Sequence, residues 1–301
     1  MNIENRDPRP GWAVAAERVV EAIVHICGLS AIAFIVLIFA FIAKEGLGFL
    51  LMNGLDMFTS FRWGPTEEPV PEFGLVALLV GTAWVVGLSL CISVPVGVGA
   101  AVWMAEFASP RTREVAKIVV EVLAAIPSVV WGFVGVMIVN PFLQSLGAQV
   151  GLNGMNGAIL LALMTLPLLV SLGEDALRAV PDAYRQAALA MGATKWEMVR
   201  FVLIPAARRG LLVATLLGIG RCVGETMAVL MATGHSVRIP MHPFDPVRTI
   251  TATIAAELGE AVRGGDHYQV LFALGLVLFG ITFVVNLVAD LTLRGERSGA
   301  A

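Results

Sequence analysis

Six stretches of this 301-residue chain are apolar for long enough, or nearly so, to cross a bilayer: roughly 19–43, 73–104, 115–139, 156–173, 208–233 and 269–293. The hydrocarbon core of a membrane takes about 20 such residues per helix. Within it, every backbone N–H and C=O must be satisfied inside the segment or in a closed barrel. A barrel needs apolar and polar residues in alternation, whereas these runs are continuous. The chain therefore reads as all-α, a polytopic membrane protein with six transmembrane helices. With 57% hydrophobic and only 14% charged residues, a soluble fold of this length would lack the polar surface it needs.

Orientation follows from the basic residues, because loops rich in Lys and Arg are retained on the cytoplasmic side. Fourteen of the twenty lie in the two tails and in the second and fourth loops; five lie in the loops of the other side. Both termini are expected in the cytoplasm, with tails at 1–18 and 294–301 around a membrane domain at 19–293. The first apolar run is too long for a signal-peptide core and ends in Lys44-Glu45, so it is kept as the first helix. Cys27, Cys91 and Cys222 fall inside predicted spans without paired spacing, which points to packing rather than to a disulfide or a metal.

Prolines punctuate the spans. SVPVGVG at 93–99 and AAIPSVVWGFVG at 124–135 predict a kink or break in helices two and three. Ser128 is placed to satisfy a backbone group freed by Pro127. An acidic outer loop is expected at 44–72, and a second at 234–268, where His235 and His242 have no metal-ligand spacing. The segment 174–207 differs from its surroundings, with charges every few residues. It predicts a helix capped by Asp182 and ended by Gly192, then a second short helix ended by Pro205. Structure in a loop of this length usually serves a function, and two short helices on the cytoplasmic side suit a docking surface.

The twentieth basic residue, Arg221, lies within the fifth span in GIGRCVGETMAV, 218–229, four residues before Glu225. An arginine at the bilayer centre costs about 2.5–3.5 kcal/mol even on a lenient insertion scale, so it must face protein or water. Residues four apart share a helix face and can pair. Gly220 and Gly224 make a GxxxG pair, which predicts a close helix contact on the same stretch. No P-loop of the form GxxxxGK[ST], no HExxH and no GxSxG occurs. The chain therefore cannot by itself bind and hydrolyse ATP in the usual P-loop manner, and no cofactor is implied.

RQAALAMGATKWEMVRFVLIPAA, 185–207, resembles the EAA loop of ATP-binding-cassette import permeases at Gln186, Ala187, Ala188, Gly192 and Ile204-Pro205, with Gln186 where the motif has glutamate. FGLVALLVGT (73–82), VPVGVGAAVWMAEFA (94–108), EVLAAIPSVVWGFVG (121–135), GLNGMNGAILLALMTLP (151–167), EDALRAVP (174–181) and GRCVGETMAV (220–229) follow in the order seen in the PstC family of phosphate import permeases. That resemblance covers most of 73–293. It implies the type I permease fold of ABC importers in a bacterial inner membrane. It also implies a PstA-like second permease, a dimer of PstB-like ATPases and a periplasmic PstS-like phosphate-binding protein, with no nucleic acid involved. Alternating access would carry phosphate past Arg221 and Glu225, with Thr226 and Ser128 as hydroxyl donors. A guanidinium fork suits phosphate oxygens, and Glu225 would release Arg221 on anion arrival or accept a hydrogen bond from a protonated phosphate oxygen, which sulfate lacks. The alternatives left open are a permease for another oxyanion, molybdate or sulfate, and a passive anion channel.

Overall fold

The computed structural model describes residues 11–65 and 71–297. Arg6 and Arg9 of the expected tail, Glu67, Glu68 and Pro69 of the first outer loop, and residues 298–301 lie outside them. Among the described residues, six helical segments are long and apolar enough to cross a membrane: Glu17–Thr59, Val76–Phe107, Ser128–Ser145, Gly154–Arg178, Lys195–Gly224 and Asp266–Thr292. The number agrees with the sequence reading. Several boundaries do not.

Helix α1 (Gly11–Thr59) has 49 residues, about 74 Å at 1.5 Å per residue, and so passes straight through the expected end at Lys44-Glu45. The expected loop 44–72 shrinks to a two-stranded hairpin, β1 (Trp63–Gly64) and β2 (Glu72–Phe73), with Trp63 opposite Phe73. The extra turns form because Phe49 and Met57 give this stretch an apolar face. They bury it with Trp63, Leu75, Leu78, Ile250 and Leu271. Gly46 permits the approach, since a Cβ there would lie 2.5 Å from the backbone of Ala273.

Helix α2 (Val76–Val102) runs through Pro95 and ends in a π-helical turn, Trp103–Phe107. Of the expected kink or break in helix two, a break does not occur at Pro95. In helix three the break is complete, and it splits the segment. Helix α3 (Pro110–Ala125), N-capped by the Ser109 hydroxyl, is separated by Ile126-Pro127 from α4 (Ser128–Val134). The latter continues through a π turn at Gly135–Val139 into α5 (Asn140–Ser145). The third span is thus 128–145 rather than 115–139. Ile126, extended at ψ 123°, shows the usual restriction on a residue before proline, and α3 carries too many charges to lie in lipid all round.

Helix α6 (Gly154–Arg178) is capped by Asn153, whose Oδ1 accepts the Asn156 N–H at 3.0 Å. It is followed by α7 (Asp182–Ala190) and α8 (Lys195–Met198), then by a π turn at Val199–Leu203 and α9 (Ile204–Gly224). Pro205 ends no helix, contrary to expectation. It sits in the first turn of α9, where the π turn has already shifted the bonding pattern, and residues 195–224 form one span. Short helices α10 (Met227–Ala232) and α11 (Ile250–Glu257) precede α12 (Asp266–Arg297), which runs into the expected tail.

Helix α6 is the most buried span. It packs most extensively on α2, then on α9, α3 and α10, while α1 packs mainly on α12. One end of the molecule carries the hairpin and α11 over the Phe49–Leu271 cluster. The other carries α7 and α8 over a cluster of Val102, Leu177, Val199 and Leu203.

Candidate functional site

The two membrane charges do not share a helix face. Helix α9 ends at Gly224, and Glu225 is extended at φ −68°, ψ 133°. The expected i, i+4 pairing with Arg221 is therefore absent. Instead the Glu225 carbonyl accepts the Thr251 hydroxyl at 2.6 Å, and its carboxylate is directed to the start of α10, 3.4 Å from the Ala228 N–H. The chain opens here because Gly224 and the extended Glu225 leave the α9 carbonyl ladder, and Thr251 from α11 fixes the opening.

Arg221 is exposed on the bare face of α9 and has no ion-pair partner among the described residues. It lines a cavity of about 240 Å³ between α3, α6 and α9. Thr226 lines a different one, of about 460 Å³, with Thr251 and Gly224. Its hydroxyl donates to the Gly224 carbonyl at 3.2 Å. Ser128, half-buried, begins α4 and lines neither cavity. Arg221 and Thr226 thus line different cavities and Ser128 and Glu225 line neither, so the four expected pathway residues do not converge.

The GxxxG expectation is also revised. A Cβ at Gly220 would meet only Asn286, at 3.5 Å, and one at Gly224 would meet nothing within 4 Å. The close contact falls at Gly218, where a Cβ would stand 3.0 Å from Thr165 of α6. The tight contact of α9 therefore lies one turn before Arg221, against α6.

At the opposite end, α7 presents Gln186 and Ala187 to solvent while Ala188 leans on the cluster below it. Asp182 is not the cap, since Pro181 holds that place; its carboxylate pairs with Arg185 at 3.1 Å. Arg185 is the bolt that the sequence reading missed. It binds Glu106 at 2.9 Å and donates to the carbonyls of Val180 and Leu177 at 2.6 and 2.8 Å. Gly192, at φ +83°, ends the helix as expected. The Ala193 N–H returns to the Ala188 carbonyl at 3.1 Å, the pattern of a glycine-terminated helix. Thr194 and Glu197 then form a reciprocal capping box. Tyr184, Leu189, Met191 and Trp196 remain exposed around this turn.

Two further charge centres were not foreseen. Glu174, 1% exposed, is ringed by Lys117 and Arg178 at 3.3 Å and Arg113 at 3.8 Å. At the hairpin end, Glu257 accepts from Trp63 Nε1 at 3.0 Å and from Arg248 at 2.6 Å, and lies 2.9 Å from His267. The spacing of Glu174 and Arg178, and of Arg113 and Lys117, is a helical i, i+4 signal. The convergence on Glu257 joins residues up to 194 positions apart and leaves no local trace.

Solved structures share the fold. A bacterial alginate ABC transporter chain, in complex with an alginate-bound periplasmic protein, matches with a TM-score of 0.64 at 16% identity, covering 96% of this chain and 98% of that one. A chain of the inward-facing MetNI methionine ABC transporter matches with a TM-score of 0.56 at 18% identity, over 76% and 99%. Among sequence relatives, the phosphate transport system permease protein PstC of Mesorhizobium japonicum is 37% identical over 270 residues, 82% of this chain and 81% of its own. PstC 1 of Mycobacterium tuberculosis is 35% identical over 281 residues, 81% and 83%. The probable ABC transporter permease YqgH of Bacillus subtilis is 36% identical over 266 residues, 87% and 86%. Residues 97–297 match the family model for the binding-protein-dependent transport system inner membrane component, and with these relatives that match means that the chain belongs to this family of multi-pass inner-membrane permeases.

Proposed function

We propose that this chain is the permease subunit of an ATP-driven phosphate importer, and that the bare face of α9 around Arg221 lines the translocation path. One observation carries the reading: an exposed guanidinium stands inside a membrane span, in the last turn of α9. Facing lipid, such a charge is costly, about 2.5–3.5 kcal/mol at a helix centre. The face must be covered, and a second permease of similar shape, PstA-like, covers it and leaves a polar passage between the two. Phosphate fits the passage because the fork of Arg221 offers it paired donors. The opened chain at Glu225, with Thr226 and Thr251 beside it, supplies the irregular backbone that lines cavities in transporters. Ser128, at the broken start of α4, belongs to the same lining.

The α7 end takes up the ATPases. Gln186, Ala187 and Ala188 on a short exposed helix, the turn at Gly192 and the lead into α9 at Pro205 form the coupling surface for a PstB-like dimer. Hydrolysis then belongs to those subunits and not to this chain. Arg185 ties α7 to Glu106 at the end of α2, so a pull on α7 reaches two spans at once. With the α7 end and both termini in the cytoplasm, the hairpin and α11 face a PstS-like phosphate-binding protein, and alternating access passes phosphate inward. The test is ATP-dependent accumulation of radiolabelled phosphate by the complete transporter in vesicles, challenged with excess sulfate or molybdate. Uptake that resists both competitors is expected. Displacement of phosphate by either would give the path to that oxyanion, and accumulation without ATP would make it a channel.

A further inference from the structure

Glu225 is the acid that the sequence offers to Arg221, yet it is not the one the fold puts beside it. The cavity of about 240 Å³ that Arg221 lines is shared with Glu121 of α3 and Ser171 of α6, over an apolar floor of Met164, Pro167 and Leu168. Glu121 lies on a helix with no buried residue, one turn past Lys117, while Ser171 lies one turn before Glu174. Neither Glu121 nor Arg221 has an ion-pair partner among the described residues. A carboxylate and a guanidinium therefore face one small, apolar-walled space and leave it open between them.

We infer that Glu121, with Arg221 and Ser171, forms a subsite that reads the proton on the transported oxyanion. The inference rests on the phosphate reading above and adds a specificity-determining residue to it. An ionised carboxylate only accepts hydrogen bonds. Monohydrogen phosphate presents bare oxygens to Arg221 and its P–O–H to Glu121, making a short charge-assisted bond. Sulfate has no proton at neutral pH, so its oxygens meet only the carboxylate lone pairs and are repelled. Ser171 both donates and accepts, so it serves either anion and gives no preference. Opposite charges on one cavity also suit a site that an anion must enter and leave.

The experiment measures equilibrium binding of radiolabelled phosphate and sulfate to the purified complete complex in nanodiscs, without binding protein. The native complex is expected to prefer phosphate. Glu121→Gln is expected to reduce that preference by about ten- to a hundredfold, the weight of one charge-assisted hydrogen bond, and Glu121→Asp to restore most of it. In the native complex, saturating phosphate but not sulfate should protect Glu121 from carbodiimide coupling, read by mass spectrometry; this arm decides the matter if Glu121→Gln does not assemble. A native complex without phosphate preference takes down the phosphate reading itself. A native preference that survives Glu121→Gln unchanged, or a Glu121 that phosphate leaves unprotected, takes down the Glu121 assignment alone.

Discussion

Single residues in this chain carry charge where charge is expensive, and each has its own answer to the cost. Glu174 is buried and compensated three times over, by Arg113, Lys117 and Arg178. Because Lys117 and Arg178 are about half exposed, their heads can turn to water when the acid is removed. Glu174→Ala should therefore cost about 1–3 kcal/mol rather than the larger figure for a fully buried pair. Limited proteolysis should cut 110–125 faster, since α3 has no buried residue of its own to hold it. His235 is held differently. Burial, then the field of Arg248, pushes its imidazole below the usual 6.5, against an opposing pull from Glu257. The unfolded loop thus takes up a proton first as pH falls past that value. The stability conferred by His235 is complete above 6.5 and is lost as pH falls towards its depressed folded value. Asp245, held below its ordinary range by the backbone N–H groups of His242 and Met241, acts in the same direction at lower pH. Hydrogen-exchange protection factors at 234–250, corrected for the intrinsic pH dependence, should fall between pH 7 and pH 5, and His235→Asn should flatten that dependence.

Elements show which sequence signals were decisive and which were overruled. Proline is the clearest instance: Pro127 separates two helices, Pro95 sits inside one, and Pro205 opens one. The difference lies in what surrounds each. Pro95 precedes Gly97, whose missing Cβ would stand 2.8 Å from Leu169, so packing on α6 holds α2 together. Pro127 follows an amphipathic helix that has no such contact to hold it in line. The GxxxG pattern misled because helix-packing glycines matter by the face they occupy, and that face belongs to Gly218. The α7 turn was legible almost residue by residue, since glycine at φ +83° is a local requirement. Gly192→Asp adds a β-carbon in a left-handed conformation and a negative charge at a helix C-terminus, which together cost about 1 kcal/mol locally. Its larger expected effect is functional: ATP hydrolysis by the assembled transporter should continue while phosphate uptake falls at least tenfold. Coupled uptake at the native ratio would show that this turn is not the joint.

The whole molecule follows from six apolar runs, and to that extent the fold was written in the sequence. What was not written is how the spans turn relative to one another. Arg221 and Glu225 are four apart in sequence yet do not share a cavity, because the helix stops between them, whereas Arg221 and Glu121, a hundred residues apart, do. A lone acid in the apolar stretch IVVEVLAA could have been weighed as Arg221 was, and that signal was present. The convergence on Glu257 was not foreseeable, because it depends on how the hairpin, α11 and α12 meet. The account as a whole stands on the bare, charged face of α9 being the path. Its most direct test is ATP-driven accumulation of radiolabelled phosphate in vesicles carrying the complete transporter with Arg221→Gln. The account predicts a normally assembled complex that still hydrolyses ATP and accumulates no phosphate; accumulation at the native rate would contradict it.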